Sequence, residues 1–120
     1  MYDTVCEGHQ MALDHIKDGA NGQTIHQKVV DLFAKNHYKT GEVNGRMQGY
    51  FHVTGHGVGL EIHEVPRLGK TGQTLRTGHV VTVEPGLYYP TRGAVRIEDL
   101  VVVTQNGCEN LTTYPKFLSV

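Results

Sequence analysis

Tyr2, Val5, His9, Ala12, Leu13 and Ile16 recur at steps of three and four, the spacing that gathers side chains on one side of a helix. The run DGANGQT at 18–24 then breaks the pattern, as clustered Gly, Asn and Asp do. A second stripe follows, Ile25, Val29, Leu32, Phe33 and Asn36, with Thr24 placed to cap its helix. Both stripes read as core-facing packing, so residues 1–36 are expected to form a helix–turn–helix layer with one apolar side.

From Tyr38 the texture changes. Glycines at 41, 45, 49, 55, 57, 59, 69, 72, 78, 86 and 93 divide the chain into short extended pieces. His79–Glu84 (HVVTVE) and Val95–Val103 (VRIEDLVVV) are β-branched runs of strand length. The Asn106-Gly107 pair is a hairpin signal leading to a last strand near Asn110–Thr113. Two helices followed by strands predict an α+β fold, with both helices packed on one face of an antiparallel β-sheet and residues 1–120 forming a single domain.

Composition narrows the partners. The formal net charge is −1 and the 11 basic residues are scattered, so nothing resembles a nucleic-acid groove. No run approaches the roughly 20 apolar residues of a membrane helix. The opening MYDTVCEGHQ has neither the basic nor the apolar region of a secretory leader. Cys6 and Cys108 lie near opposite ends with no CxxC pair, which reads as two reduced thiols in a cytoplasmic protein. Eight histidines is a high count for 120 residues and points to chemistry at one of them.

The chemistry concentrates in HVTGHGVGLEIHE at 52–64, which carries His52, His56, His63 and Glu64. Glu84 and Glu98 follow on separate strand-like segments. An imidazole and two carboxylates are a donor set that can hold a divalent ion and activate water. Glu84 shares a strand face with Val80 and Thr82, has no local ion partner, and precedes the Pro85-Gly86 turn. Glu98 shares its face with Arg96, Leu100 and Val102, and an ion pair with Arg96 is the plainer explanation for both charges. Gly55 and Gly57 flank His56, allowing close backbone approach and room for an ion beside the ring. The pattern is not HExxH, so no zinc-helix spacing applies.

GHGVGLEIHEVP, VEPGLYY, VRIEDLVVV and the closing LTTYPKFL, in that order, resemble the pita-bread (M24-type) metallopeptidases. That group contains methionine aminopeptidase, aminopeptidase P and prolidase, and the RIED and LTTYPK blocks are more similar to the Xaa-Pro-cleaving branch. The resemblance implies a metal-dependent exopeptidase using Mn²⁺, Co²⁺ or Zn²⁺ on peptides with proline at the second position. It implies His56, Glu84 and Glu98 as metal ligands, with Glu98 bridging two ions and Glu84 also a proton shuttle. It further implies His63 as the residue steadying the oxyanion, His52 as an additional catalytic-site histidine, and Arg96 and Tyr88 as substrate-side or supporting groups.

The family's two aspartate ligands arrive on a β-hairpin upstream of the helix pair, where this sequence begins. Asp3, Asp14, Asp18 and Asp31 lie on or between the helices and do not replace them. The chain thus resembles the C-terminal half of a pita-bread catalytic domain. The expectations are a second ion weak or absent, activity feeble to absent in isolation, and a homodimer or a complementing N-terminal half covering the exposed edge. The alternative is a non-catalytic relic or binding module acting through protein association.

Overall fold

The computed structural model describes residues 1–118. Helix α1 spans Tyr2–His15 and α2 spans Gly22–Lys35, as the two stripes predict. The second cap differs. Asn21, not Thr24, is the N-cap, its side chain accepting from the amides of Gln23 and Thr24. An Asn placed before Gly22 can adopt the extended backbone a cap requires, which leaves Thr24 inside the first turn. The helices cross closely at Gly8, where a Cβ would meet the Phe33 ring 2.7 Å away.

Among the described residues nine short strands follow: β1 (Gly41–Val43), β2 (Arg46–Gln48), β3 (Gly55–Gly57), β4 (Glu64–Leu68), β5 (Val80–Val83), β6 (Gly86–Tyr89), β7 (Gly93–Arg96), β8 (Asp99–Val103) and β9 (Cys108–Asn110). The main sheet is antiparallel in the order β4-β3-β5-β8-β9, and β1-β2 and β6-β7 form separate two-stranded sheets. The fold is α+β, as expected.

Two strand boundaries depart from expectation. The run 95–103 is not continuous: Ile97 and Glu98 separate β7 from β8, and the two strands belong to different sheets. The Asn106-Gly107 turn does join a hairpin, closed by Thr104 N–H to the Gly107 carbonyl, but β9 begins at Cys108 and ends at Asn110. Thr112 instead uses its hydroxyl to accept from the Leu100 amide.

The pleat decides what each face carries. Val81 pairs with Val101 and Val83 with Asp99, and all four side chains are buried. The three valines join Val5, Ala12, Ile25, Val29 and Phe33 of the helices in one core. Thr82 and Leu100, the alternate pair, therefore face away from the helices. Glu84, two residues beyond Thr82, continues that outer face.

Candidate metal and catalytic site

His56 stands at the middle of β3, between β4 and β5, and is buried. The glycines on either side are required by close backbone approach, as the sequence suggested, and the space beside them is filled by neighbouring strands. A Cβ at Gly55 would strike the Thr82 carbonyl oxygen and one at Gly57 that of Val65, so the close approach is by the neighbouring backbone. The His56 amide donates to Thr82 Oγ1 at 3.1 Å, and that hydroxyl donates onward to Glu84 Oε1 at 3.0 Å.

The ring's own contacts fix its chemistry. Nδ1 donates to the Gly57 carbonyl at 3.0 Å, so Nε2 bears the lone pair in the neutral ring. Nε2 then lies 3.1 Å from Glu84 Oε1. Two acceptors facing each other at that distance require a proton or a cation to be shared. A buried imidazole so oriented, beside a buried carboxylate, suits a divalent ion.

Glu84 has more partners than its sequence neighbourhood suggested. Thr82 lies two residues away, and Arg96 brings Nη1 to 3.7 Å from Oε2. The same guanidinium places Nε 3.7 Å from Glu98 Oε2, so Arg96 links the two glutamates. The Tyr88 phenol, with Glu98 and Glu84 behind it, holds Arg96 more firmly protonated than usual, although partial burial opposes this. Glu98 is not buried: its side chain is 45% exposed, in the turn between β7 and β8. Among the described residues, no three His, Cys, Asp or Glu side chains stand together as a ready-made metal-holding group.

His63 joins the pair, its ring centre 4.4 Å from that of His56. His56, His63, Thr82, Glu84, Arg96 and Glu98 line one pocket of about 470 Å³. His52 lines a different one. Its ring packs among Tyr50, Phe51 and Tyr88, its Nδ1 donates to the Val53 carbonyl, and its Nε2 is enclosed without a partner. Tyr88 thus stands between the two sets, edge-on to His52 and adjacent to Arg96.

Two residues near the site escaped the sequence reading. Thr82 links His56 to Glu84, and its only signal was its place on the Glu84 face. Asp99, adjacent to Glu98, is buried on the helix side, where its Oδ2 accepts from Asn110 at 2.6 Å and Lys116 at 2.8 Å. An acid opening a β-branched strand was the available signal.

With this geometry in place, comparison with known proteins decides the lineage. The profile of metallopeptidase family M24 matches residues 1–105. The chain belongs to that family. It is 43% identical over 117 residues to the Xaa-Pro dipeptidase of Pyrococcus horikoshii, covering 93% of this chain and 30% of that one. The Xaa-Pro dipeptidase of Pyrococcus furiosus is 41% identical over 113 residues, with the same two coverages. Among solved structures, the Xaa-Pro dipeptidase from Bacillus anthracis superposes with a TM-score of 0.84 at 40% identity, covering 98% of this chain and 31% of that one. The prolidase from Pyrococcus horikoshii gives 0.85 at 36%, covering 98% and 32%. The chain therefore spans about a third of the length of these relatives and matches part of the pita-bread domain. No helix among the described residues is long and apolar enough to cross a membrane.

Proposed function

We propose that this chain supplies the His56, Glu84 and Glu98 part of a divalent-metal site in an Xaa-Pro exopeptidase that hydrolyses the N-terminal peptide bond. The contact between His56 Nε2 and Glu84 Oε1 carries the reading, since it needs a proton or cation to be favourable. Similarity to named Xaa-Pro dipeptidases supports the substrate class. A bound Mn²⁺, Co²⁺ or Zn²⁺ would supply Lewis-acid polarisation and lower the pKa of water at the site.

The chain's own residues supply the rest. Glu84, oriented by the Thr82 hydroxyl at Oε1, accepts and returns a proton. His63, beside His56, is placed to donate to the substrate carbonyl oxygen as charge develops there. Arg96 links the two glutamates, and Tyr88 supports Arg96 from beside it. His52 acts from outside this pocket, on the far side of Tyr88.

Three ligands suffice for one ion, while a second would keep only Glu98 from this chain. Full activity therefore calls for two more carboxylates from a complementing N-terminal half, and the isolated 120 residues are feeble catalysts or inactive. Exposed Leu60, Ile62 and Val65, beside His63, are the surface such a partner or a second copy would cover. Two free cysteines accord with a cytoplasmic setting. A non-catalytic role is favoured instead by the exposed, outlying position of Glu98.

Titration calorimetry with Mn²⁺, Co²⁺ and Zn²⁺ tests the proposal, followed by hydrolysis of an Xaa-Pro dipeptide. Stoichiometric binding lost in Glu84→Ala is the expected result. Undetectable binding at millimolar metal overturns it in favour of the non-catalytic reading.

A further inference from the structure

Glu98 lines two cavities at once. One is the pocket it shares with His56 and Glu84, and the other is a smaller space of about 230 Å³ beneath the C-terminal segment. Lys116 lines the smaller space, so an ammonium group and the Glu98 carboxylate border the same cavity. A lysine so placed rivals a metal ion, because either cation can satisfy the carboxylate.

Lys116 is committed elsewhere. Its Nζ donates to Asp99 Oδ2 at 2.8 Å, and it makes no other ion pair among the described residues. Asp99 is 1% exposed, Asn110 donates to the same oxygen at 2.6 Å, and His9 Nε2 lies 3.2 Å from it. Two bonds to Leu100 lead the segment to this contact. The Leu111 amide donates to the Leu100 carbonyl at 2.8 Å, and the Leu100 amide donates to Thr112 Oγ1 at 2.9 Å. Glu98 is held far less firmly. Among the described residues its one ion partner is Arg96, at 3.7 Å, and its side chain is 45% exposed.

We infer that Asp99 is a positioning residue that holds Lys116 off Glu98 and so leaves the Glu98 carboxylate free for a cation. The buried carboxylate wins the lysine because solvent and salt screen that pair less than one at half-exposed Glu98. With Asp99 neutral, the flexible four-carbon stem lets Lys116 cross the small cavity and pair with Glu98. The consequence for metal rests on Glu98 being a ligand, as proposed above. The exchange of partners does not.

A zero-length carbodiimide joins an amine to a carboxylate in contact with it, so it reads the lysine's partner without metal. Applied to the full chain and followed by peptide mass spectrometry, it should yield a Lys116–Glu98 amide in Asp99→Asn and none in the parent. Calorimetry with Mn²⁺ reads the consequence. Asp99→Asn should lose about fivefold in affinity, the upper worth of an exposed ion pair. Adding Lys116→Met to Asp99→Asn should restore the affinity, whereas Lys116→Met alone should stay within about twofold of the parent. A stabilising osmolyte in every sample offsets the stability that Asp99→Asn loses. Absence of the Lys116–Glu98 amide overturns the inference. Equal gains from Lys116→Met with and without Asp99 overturn it too, as the mark of a general charge effect. A fall of about tenfold in Lys116→Met alone does the same, since the lysine would then be holding the Glu98 turn in place. A parent chain that binds no Mn²⁺ removes the metal reading, and the amide then decides this inference by itself.

Discussion

His9 Nε2 lies 3.2 Å from Asp99 Oδ2, joining the first helix to the residue beside Glu98. Both side chains are buried, and Lys116 reaches the same oxygen from the C-terminal segment. One carboxylate therefore ties α1, β8 and residues 110–116 together beneath the turn that presents Glu98. Asp99→Asn removes the charge that Lys116 pairs with and that accepts from Asn110 beside the neutral His9 ring, and should cost about 3 kcal/mol, as breaking buried ion pairs does. For a chain of this size that is a fall of about 10 °C in Tm. Lys116→Met should cost about 1 kcal/mol or less, because its side chain is one-third exposed and the Asn110 bond remains. Thermal and urea unfolding of the two variants check the order; equal losses would contradict it.

Gly55 is held to glycine by the Thr82 carbonyl oxygen, which occupies the space of a Cβ. Backbone in the middle of a sheet cannot step aside as a side chain can. Gly55→Ala should therefore cost about 3 kcal/mol or more, at or beyond the upper end for overpacking, and should separate β3 from β5. Gly107→Ala has open space around the added methyl and should stay within about 0.5 kcal/mol of the parent. Denaturant midpoints of the two variants give the comparison, and similar midpoints would refute it.

Thr82 accepts from the His56 amide and donates to Glu84, so one hydroxyl sets the position of both. Thr82→Val keeps the shape and removes both bonds. The stranded His56 amide should cost about 1–3 kcal/mol in stability. Metal affinity should fall about 10–100-fold, the usual penalty when the group that orients a ligand is lost. Calorimetric titration with Mn²⁺ measures this. Parent-like affinity in a less stable protein would give Thr82 a purely structural role.

The helices were legible because their stripes of period 3.6 pack directly against the sheet: Val5, Ala12, Ile25, Val29 and Phe33 are all core residues. His56, His63 and Glu84 were legible as a set through their glycine-rich setting and family blocks, and they do line one pocket. What was lost depends on distance in space rather than pattern. Alternation read through 95–103 puts Glu98 and Asp99 on opposite faces, but does not show that Glu98 stays half exposed in a turn while Asp99 meets a helix 90 residues earlier. His52 reads as part of the same motif as His56, yet Tyr50, Phe51 and Tyr88 draw its ring into another cavity. The cap moved from Thr24 to Asn21 because either residue type can cap and only the chain's entry angle chooses between them.

Two buried histidines set how stability depends on pH. Burial lowers the pKa of His9, with Lys116 adding to it and Asp99 opposing. Burial likewise lowers that of His26, with Lys70 and His52 adding to it. In the unfolded chain both rings titrate near the ordinary value of about 6.5. Above that pH both states hold neutral rings and these groups contribute no slope. As pH falls through about 6.5 the unfolded chain takes up protons first, while the folded rings remain neutral. The unfolded state then binds more protons, so stability declines with falling pH until the folded rings charge as well. Urea midpoints should therefore hold steady from pH 8 to about 7 and drop between about 6.5 and 5. His26→Gln preserves a side chain able to bond Thr54 while removing one titrating ring, and should flatten part of that drop. The same slope in parent and variant would show that His26 takes its proton equally well folded and unfolded.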